Sequence, residues 1–443
     1  MTRIPKTTPP PVEVKKDEQS VTETRHYKLI TPLYGGGVEP GRADPVSVAR
    51  ATEIRGHLRF WWRATRGGNP EFGGKLDKMK AAEDEIWGSS GGKGKPGSSR
   101  VDIEILDGNK GRVLDTVRIK SKKGVRSVSI GDPASPYGYV AFPLRKTDES
   151  PAGSVQEGVE FTIRITYKPR KGDDLILLKK EVETALWAWE TFGGIGARTR
   201  RGFGAIQCIS VENQPISATP PHEVEINIRE KLKQYQGDWP EGVPHLSANL
   251  RFVITPAKTS SDQAWSTLFK ALQNFRQKDA RYDKKTGSQS DYGMSRWPEA
   301  NAIRDIFSLP PQYPAGIPKK LIKKFPRAAF GLPIGFEMHH DKSIEERPEL
   351  QGAKHDRLAS PLILRPLACA DDKAVGLAAV LEWEPVDSDE PYTPPGGLRL
   401  VGKDDKFDEP VQSRLNATEA SKIPPLKGQT DVLQAFLDYL KGK

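Results

Sequence analysis

The segment Phe192 to Gly204, reading Phe-Gly-Gly-Ile-Gly-Ala-Arg-Thr-Arg-Arg-Gly-Phe-Gly, restricts the fold of this chain more than any other stretch. Five glycines, Gly193, Gly194, Gly196, Gly202 and Gly204, frame Arg198, Arg200 and Arg201. Such a loop adopts backbone conformations closed to residues with a Cβ and lets a polyanion approach main-chain N–H groups. Its arginines add forked donors of fixed charge. Upstream, Leu175, Leu178, Val182, Ala185, Leu186 and Trp189 recur at helical steps; downstream, Ala205 to Val211 reads as a strand. Phosphate-binding P-loops and dinucleotide fingerprints run strand, loop, helix. Here the order is reversed and no Gly-Lys-Ser/Thr follows, which excludes nucleotide binding and favours a loop that tracks a nucleic-acid backbone. The plainer reading is a glycine-rich helix stop with solvated arginines.

The 443 residues carry 68 Lys and Arg against 58 Asp and Glu, a formal charge of +10 that points to an anionic partner. The two cysteines, Cys208 and Cys369, are too far apart to suggest a disulfide framework or a zinc site, and no metal or cofactor is expected. No apolar run is long enough for a bilayer and the N-terminus lacks the apolar core of a signal peptide, so a soluble, cytoplasmic protein is expected.

Residues 1–25, rich in Pro, Thr and charge, read as a disordered arm. A first strand is expected at Tyr27 to Pro32, running into the turn Tyr34-Gly35-Gly36-Gly37 and a loop that holds Arg42, Asp44 and Arg50. Thr52 reads as the cap of the next helix. Ile54, Leu58, Trp61 and Thr65 share one face of it, and Arg55, Arg59, Arg63 and Arg66 share another. Like charges at this spacing repel by a few tenths of a kcal/mol per pair, so the stripe calls for a counter-anion. Gly56, at a cost of about 1 kcal/mol in a helix, suggests a close-passing backbone. A solvated basic face is the plain alternative. His57 and Trp62 flank the stripe.

Residues 67–100 read as two glycine-rich patches; Pro96 breaks the P-loop likeness of Gly91 to Lys95. Strands are expected at Val101 to Leu106, Val113 to Lys120 and Val159 to Tyr167, and a helix from Asp174 to Thr191. The order strand, helix, strands, helix, strand describes a ferredoxin-like βαββαβ domain with insertions, of α+β class, over residues 26–212. A linker follows at 213–245. Residues 246–443 repeat the theme more loosely as a second ferredoxin-like domain: a strand at Leu246 to Ile254, helices at Gln263 to Gln277 and Trp297 to Leu309, strands at Ala328 to Met338, Pro361 to Leu367 and Val375 to Trp383, and a helix at Asp431 to Leu440.

Three stretches resemble a known family: Tyr27 to Leu33 with Gly35 to Gly37, Ile54 to Ala64 with its Leu-Arg-Phe-Trp-Trp-Arg core, and Gly193 to Gly204. The last looks like the G-loop of the RAMP superfamily of CRISPR-associated proteins. The Trp-Trp helix narrows the resemblance to the first-numbered RAMP subunits of type III-B (Cmr) RNA-guided effector complexes. Ser295-Arg296-Trp297-Pro298-Glu299-Ala300 and Ala359-Ser360-Pro361-Leu362 are similar to that group as well. The resemblance implies two packed ferredoxin-like domains and RNA binding without cleavage within a ribonucleoprotein. It implies contact with the 3′ part of the CRISPR RNA, help in capturing single-stranded target RNA, and other RAMP subunits as neighbours, including the small capping one.

The residues expected at RNA are accordingly Tyr34, Gly35, Gly36, Arg50, Arg55, His57, Arg59, Arg63, Arg66, the five loop glycines, Arg198, Arg200, Arg201, Arg296 and Trp297. Tyr34, Trp61, Trp62, Trp265 and Trp297 are candidates for base stacking, Trp61 more as core and Tyr34 as the more exposed by position. The competing class is a RAMP-fold endoribonuclease, with His57 or His26 as acid or base or Asp44 in target cleavage. An aspartate in such a loop more often closes a turn. His339-His340-Asp341 hints at a metal set, but a solvated strand end accounts for it better.

Overall fold

The computed structural model describes residues 20–37, 39, 41–44, 46–90, 97–121, 124–148, 150–278, 281–282, 294–313, 321–338, 347–383, 392–402 and 407–443. Gly91 to Pro96, His339 to Asp341 and most of the basic loop after Lys278 lie outside them. The fold is α+β, with helices laid on several antiparallel sheets.

In the first half the order is β1 (Val21–Leu29), α1 (Ala51–Arg66), α2 (Leu76–Trp87), β2 (Val101–Asn109), β3 (Glu160–Tyr167), α3 (Leu175–Phe192) and β4 (Ile206–Val211). The sheet runs β4-β1-β3-β2, extended at the β4 edge by Gln214–Pro215. All its pairings are antiparallel. β3 has the cleanest alternation, and Phe161, Ile163, Ile165 and Tyr167 are all buried. Ile54, Leu58 and Trp61 of α1 meet Val182, Leu186 and Trp189 of α3 over this face. Asp174 caps α3 by accepting from the N–H groups of Ile176 and Leu177.

Several expectations change here. Val21 to Arg25, assigned to the arm, pair with Tyr167 to Ile163 as the first part of β1. α1 starts after Arg50 without a side-chain cap, leaving Thr52 inside its first turn. A Cβ on Gly56 would meet nothing within 4 Å, so among the described residues no protein backbone passes close to it. Residues 67–100 contain α2, and Val113 to Lys120 divides into separate strands at Arg112–Leu114 and Thr116–Ser121. The linker contains α4 (Val224–Leu232), whose Val224, Ile228 and Leu232 recur every four residues and pack into the first core.

The second half comprises β5 (Arg251–Ile254), α5 (Ser261–Gln273), α6 (Glu299–Ile306), β6 (Leu362–Ala368), β7 (Ala374–Val380) and α7 (Val432–Lys441). Its three-stranded sheet runs β5-β7-β6, with α5 packed on β6 and β7 and α7 on β5. The expected strand at Ala328 to Met338 is instead a 3-10 turn, Pro326–Phe330, and a two-residue strand, Ile334–Gly335, in a separate four-stranded sheet. Ile363, Val375 and Leu377 share the core cluster of Trp189 and Phe192, so one hydrophobic core runs through both halves.

Candidate nucleic-acid interface

The arginine face of α1 finds its counter-charges within the protein. Arg59 Nε and Arg63 Nη1 each lie 2.6 Å from Oε1 of Glu83, whose side chain is only 1% exposed. Arg59 also reaches Asp84 Oδ1 at 3.3 Å and donates to the Gly88 carbonyl at 3.2 Å. Arg55 donates to the Trp87 carbonyl, and Arg66 pairs with Glu181 of α3 at 2.6 Å. Trp62, buried, donates its indole N–H to the same Glu181 at 2.7 Å. The premise that this stripe requires an external anion therefore fails for Arg59, Arg63 and Arg66, whose carboxylates come from α2 and α3.

At the start of α1, Glu53 Oε1 accepts the Gly196 N–H at 2.7 Å and lies 3.5 Å from His57 Nε2; its other oxygen is 3.8 Å from Arg50 Nε. Burial opposes ionisation of Glu53, but the nearby His57, the hydrogen bond from the Gly196 N–H and the Arg50 charge outweigh it and hold the carboxyl below its usual range. The glycine loop and the beginning of the arginine helix meet through this acid.

The loop itself is wedged between the two halves. Its amide donors serve the protein: Ile195 N–H goes to Gly204 O at 3.0 Å, Ala197 N–H to Tyr34 O at 2.8 Å and Gly204 N–H to Pro32 O at 2.8 Å. The amides of Gly193 and Gly202 close on Trp189 and Thr199. These N–H groups do not form the open anion cradle expected from the glycines. The glycines serve close packing instead. A Cβ on Gly202 would stand 2.4 Å from Trp265 Nε1 and one on Gly204 2.0 Å from Ile195 O, both at positive φ. Gly36, also at positive φ, lies against Gly196, so the two glycine turns are neighbours.

The loop arginines cross the seam. Arg200 donates to Ser360 O at 2.5 Å, and Arg201 to Leu362 O at 3.1 Å and Phe330 O at 3.0 Å. In return the Trp265 indole donates to Arg201 O at 2.7 Å. Arg276, in the last turn after α5, donates to Tyr139 Oη at 3.4 Å. Arg198, at φ 58°, points its guanidinium over Phe142 at 5.0 Å and Tyr34 at 6.0 Å. No carboxylate pairs with Arg198, Arg200, Arg201 or Arg276 among the described residues. Burial, and then the nearby Arg276, Arg198 and Arg200 against the opposing effect of Tyr139, pushes Arg201 down to about 9. A guanidinium keeps its proton in a protein; the shift records how poorly this charge is compensated.

One residue of this region escaped the sequence reading. Arg365 of β6, fully buried, donates to the carbonyls of Trp189, Gly193 and Ile206, which flank both ends of the loop. Burial pushes it down to about 9 against the attraction of Glu190. The available signal was a lone arginine inside Leu-Ile-Leu-Arg-Pro-Leu.

The remaining candidates fall elsewhere or into the core. Tyr34 is 6% exposed and edge-on to Phe203 at 5.1 Å, contrary to its expected exposure. Trp265 and Trp297 are buried as well, so neither offers a face to a base; Trp297, beside Arg296 at the entry to α6, packs on Phe275 at 5.7 Å. Asp44 Oδ1 accepts from Val46 N–H and Ser47 N–H, both at 2.8 Å, which is a turn-closing geometry and holds its carboxyl low. His26, on β1, contacts Thr162 Oγ1 at 2.8 Å. Among the described residues no three His, Cys, Asp or Glu side chains gather as a metal set, and no helix is long and apolar enough to cross a membrane.

A loop of this build, between helix and strand in a β4-β1-β3-β2 sheet, is accompanied by a family match: residues 26–207 match the model of the RAMP superfamily. The resemblance carried by the Trp-Trp helix and the glycine loop is borne out at the level of the subunit type too. The chain is 25% identical over 202 residues to the CRISPR system Cmr subunit Cmr1-1 of Pyrococcus furiosus, covering 44% of this chain. The chain spans about half the length of that relative, 47%. A crystal structure of Cmr1 from Pyrococcus furiosus (apo form) aligns with 82% of this chain and 88% of its own at TM-score 0.47 and 16% identity. A chain of the cryo-EM structure of the Type III-B Cmr-beta complex bound to cognate target RNA aligns with 82% of this chain and 94% of its own at TM-score 0.45 and 14% identity.

Proposed function

We propose that this chain is a non-catalytic RNA-binding subunit of a type III-B Cmr ribonucleoprotein, acting in antiviral defence in the cytoplasm. It contacts the 3′ part of the CRISPR RNA, helps capture single-stranded target RNA, or does both, beside other RAMP subunits that include the small capping one. The observation that carries this reading is the set Arg198, Arg200, Arg201 and Arg276 at the seam, without a carboxylate among the described residues. Four guanidinia held together on backbone carbonyls and aromatic rings lower their energy when a phosphodiester enters. We read both halves as ferredoxin-like. The β4-β1-β3-β2 order supports this in the first half, and β5-β7-β6 supports a shortened version in the second.

Arg198 and Arg276 are the members to test, because Arg201 ties the halves together through two carbonyls. Arg198→Ala with Arg276→Ala is expected to weaken single-stranded RNA binding across sequences and to flatten the dependence of log K on log salt by about 1.4, ~0.7 per lost contact. Unchanged affinity and slope would overturn the reading. Asp44, engaged with two backbone amides, gives the endoribonuclease reading no support. RNA cleavage abolished by Asp44→Ala would reverse that judgement.

A further inference from the structure

We propose that Phe142 is the platform on which a base of the bound strand stacks, next to the phosphate that Arg198 holds; this rests on the RNA reading above. Phe142 is 56% exposed, and the other large exposed apolar side chains of the described residues are aliphatic. Its mounting is buried. It opens a 3-10 turn, Phe142–Leu144, whose last residue Leu144 is buried along with the preceding Val140 and Ala141. The ring thus stands on an anchored segment that presents it to solvent.

Its neighbours supply the second half of a nucleotide site. The Arg198 guanidinium lies 5.0 Å from the Phe142 ring centroid and pairs with no carboxylate among the described residues. Three residues earlier on the same segment, Tyr139 accepts a hydrogen bond from Arg276. Residues 139 and 142 therefore bring two rings to two uncompensated guanidinia. An exposed aromatic face beside a phosphate-binding cation is the arrangement by which single strands are held without sequence readout, since every base has a π-face. In a duplex those faces are covered by neighbouring bases. The ligand class is single-stranded RNA, with purines held more firmly than pyrimidines because they offer the larger face.

The experiment uses the full chain and fluorescence anisotropy with two probes of equal length: labelled oligoadenylate and an abasic ribose-phosphate oligomer. Phe142→Ala is expected to weaken oligoadenylate roughly fivefold to a hundredfold, the range one stacked base supplies, and to leave the abasic strand unchanged. Phe142→Trp is expected to restore oligoadenylate binding. Wild-type affinity of Phe142→Ala for oligoadenylate would overturn the proposal. So would equal weakening of both probes, because the ring would then only position Arg198. If the wild-type chain holds neither probe, or if Arg198→Ala with Arg276→Ala holds both normally, the RNA reading itself fails and the platform with it.

Discussion

Two groups of four arginines occupy α1 and the seam between the halves, and they differ in what neutralises them. On α1, Arg59 and Arg63 share the buried Glu83, Arg66 takes Glu181 and Arg55 a helix-end carbonyl. At the seam, Arg198, Arg200, Arg201 and Arg276 rest on carbonyls, a hydroxyl and aromatic rings. Carbonyl dipoles orient a guanidinium without cancelling its charge. Arginine spacing alone thus reports a cationic surface and is silent on whether the anion is internal or external: Arg59, Arg63 and Arg66 have theirs inside, whereas the seam group and Arg55 leave room for an external one.

The largest effect expected from this contrast is on folding. Glu83→Ala leaves Arg59 and Arg63 without their shared carboxylate and should cost about 2–3 kcal/mol in denaturant unfolding. A fully buried pair would lose roughly 3–5 kcal/mol, but both guanidinia here reach solvent. Unchanged stability would show that the α1 group is not compensated internally. Next in size, Arg59→Ala with Arg63→Ala should lower stability while moving RNA affinity by no more than about twofold, within the worth of an exposed charge. A drop in affinity equal to that of the seam pair would erase the distinction between the groups.

The smallest effect concerns Glu53, the acid at the junction of the two groups. Its carboxyl is held below its ordinary range, so the stability it contributes is fully present above that range and is lost as pH falls through the lowered value. Glu53→Gln should flatten the acid limb of the stability curve below about pH 4.5. An acid limb identical to wild type would show that the Gly196 amide is equally well served without the charge.

Much of the first half was legible because its signals are local. The alternation of Phe161 to Tyr167, the capped apolar face of α3 and the buried face of α1 each lie within one element. α2 was missed because the glycines on either side dominated the reading of residues 67–100, although Met79, Glu83, Ile86 and Trp87 form a buried helical face. α4 was hidden in the same way by prolines on its flanks. The seam was not legible at all. The acceptors of Arg200 and Arg201 are carbonyls of Ser360, Leu362 and Phe330, and a carbonyl has no sequence signature. Phe142 was invisible for a related reason: exposure of a single ring depends on how the segment around it is anchored.

Arg365 adds a constraint of timing. It holds the carbonyls at both ends of the glycine loop, yet it lies more than 150 residues after that loop in the chain. During synthesis the N-terminal sheet can pair as soon as Pro215 has emerged, because none of its strands comes from later in the sequence. The loop's end carbonyls have to wait for β6. The surface proposed to face RNA is therefore closed late, once the chain has left the ribosome far enough for its second half to return and lock the first.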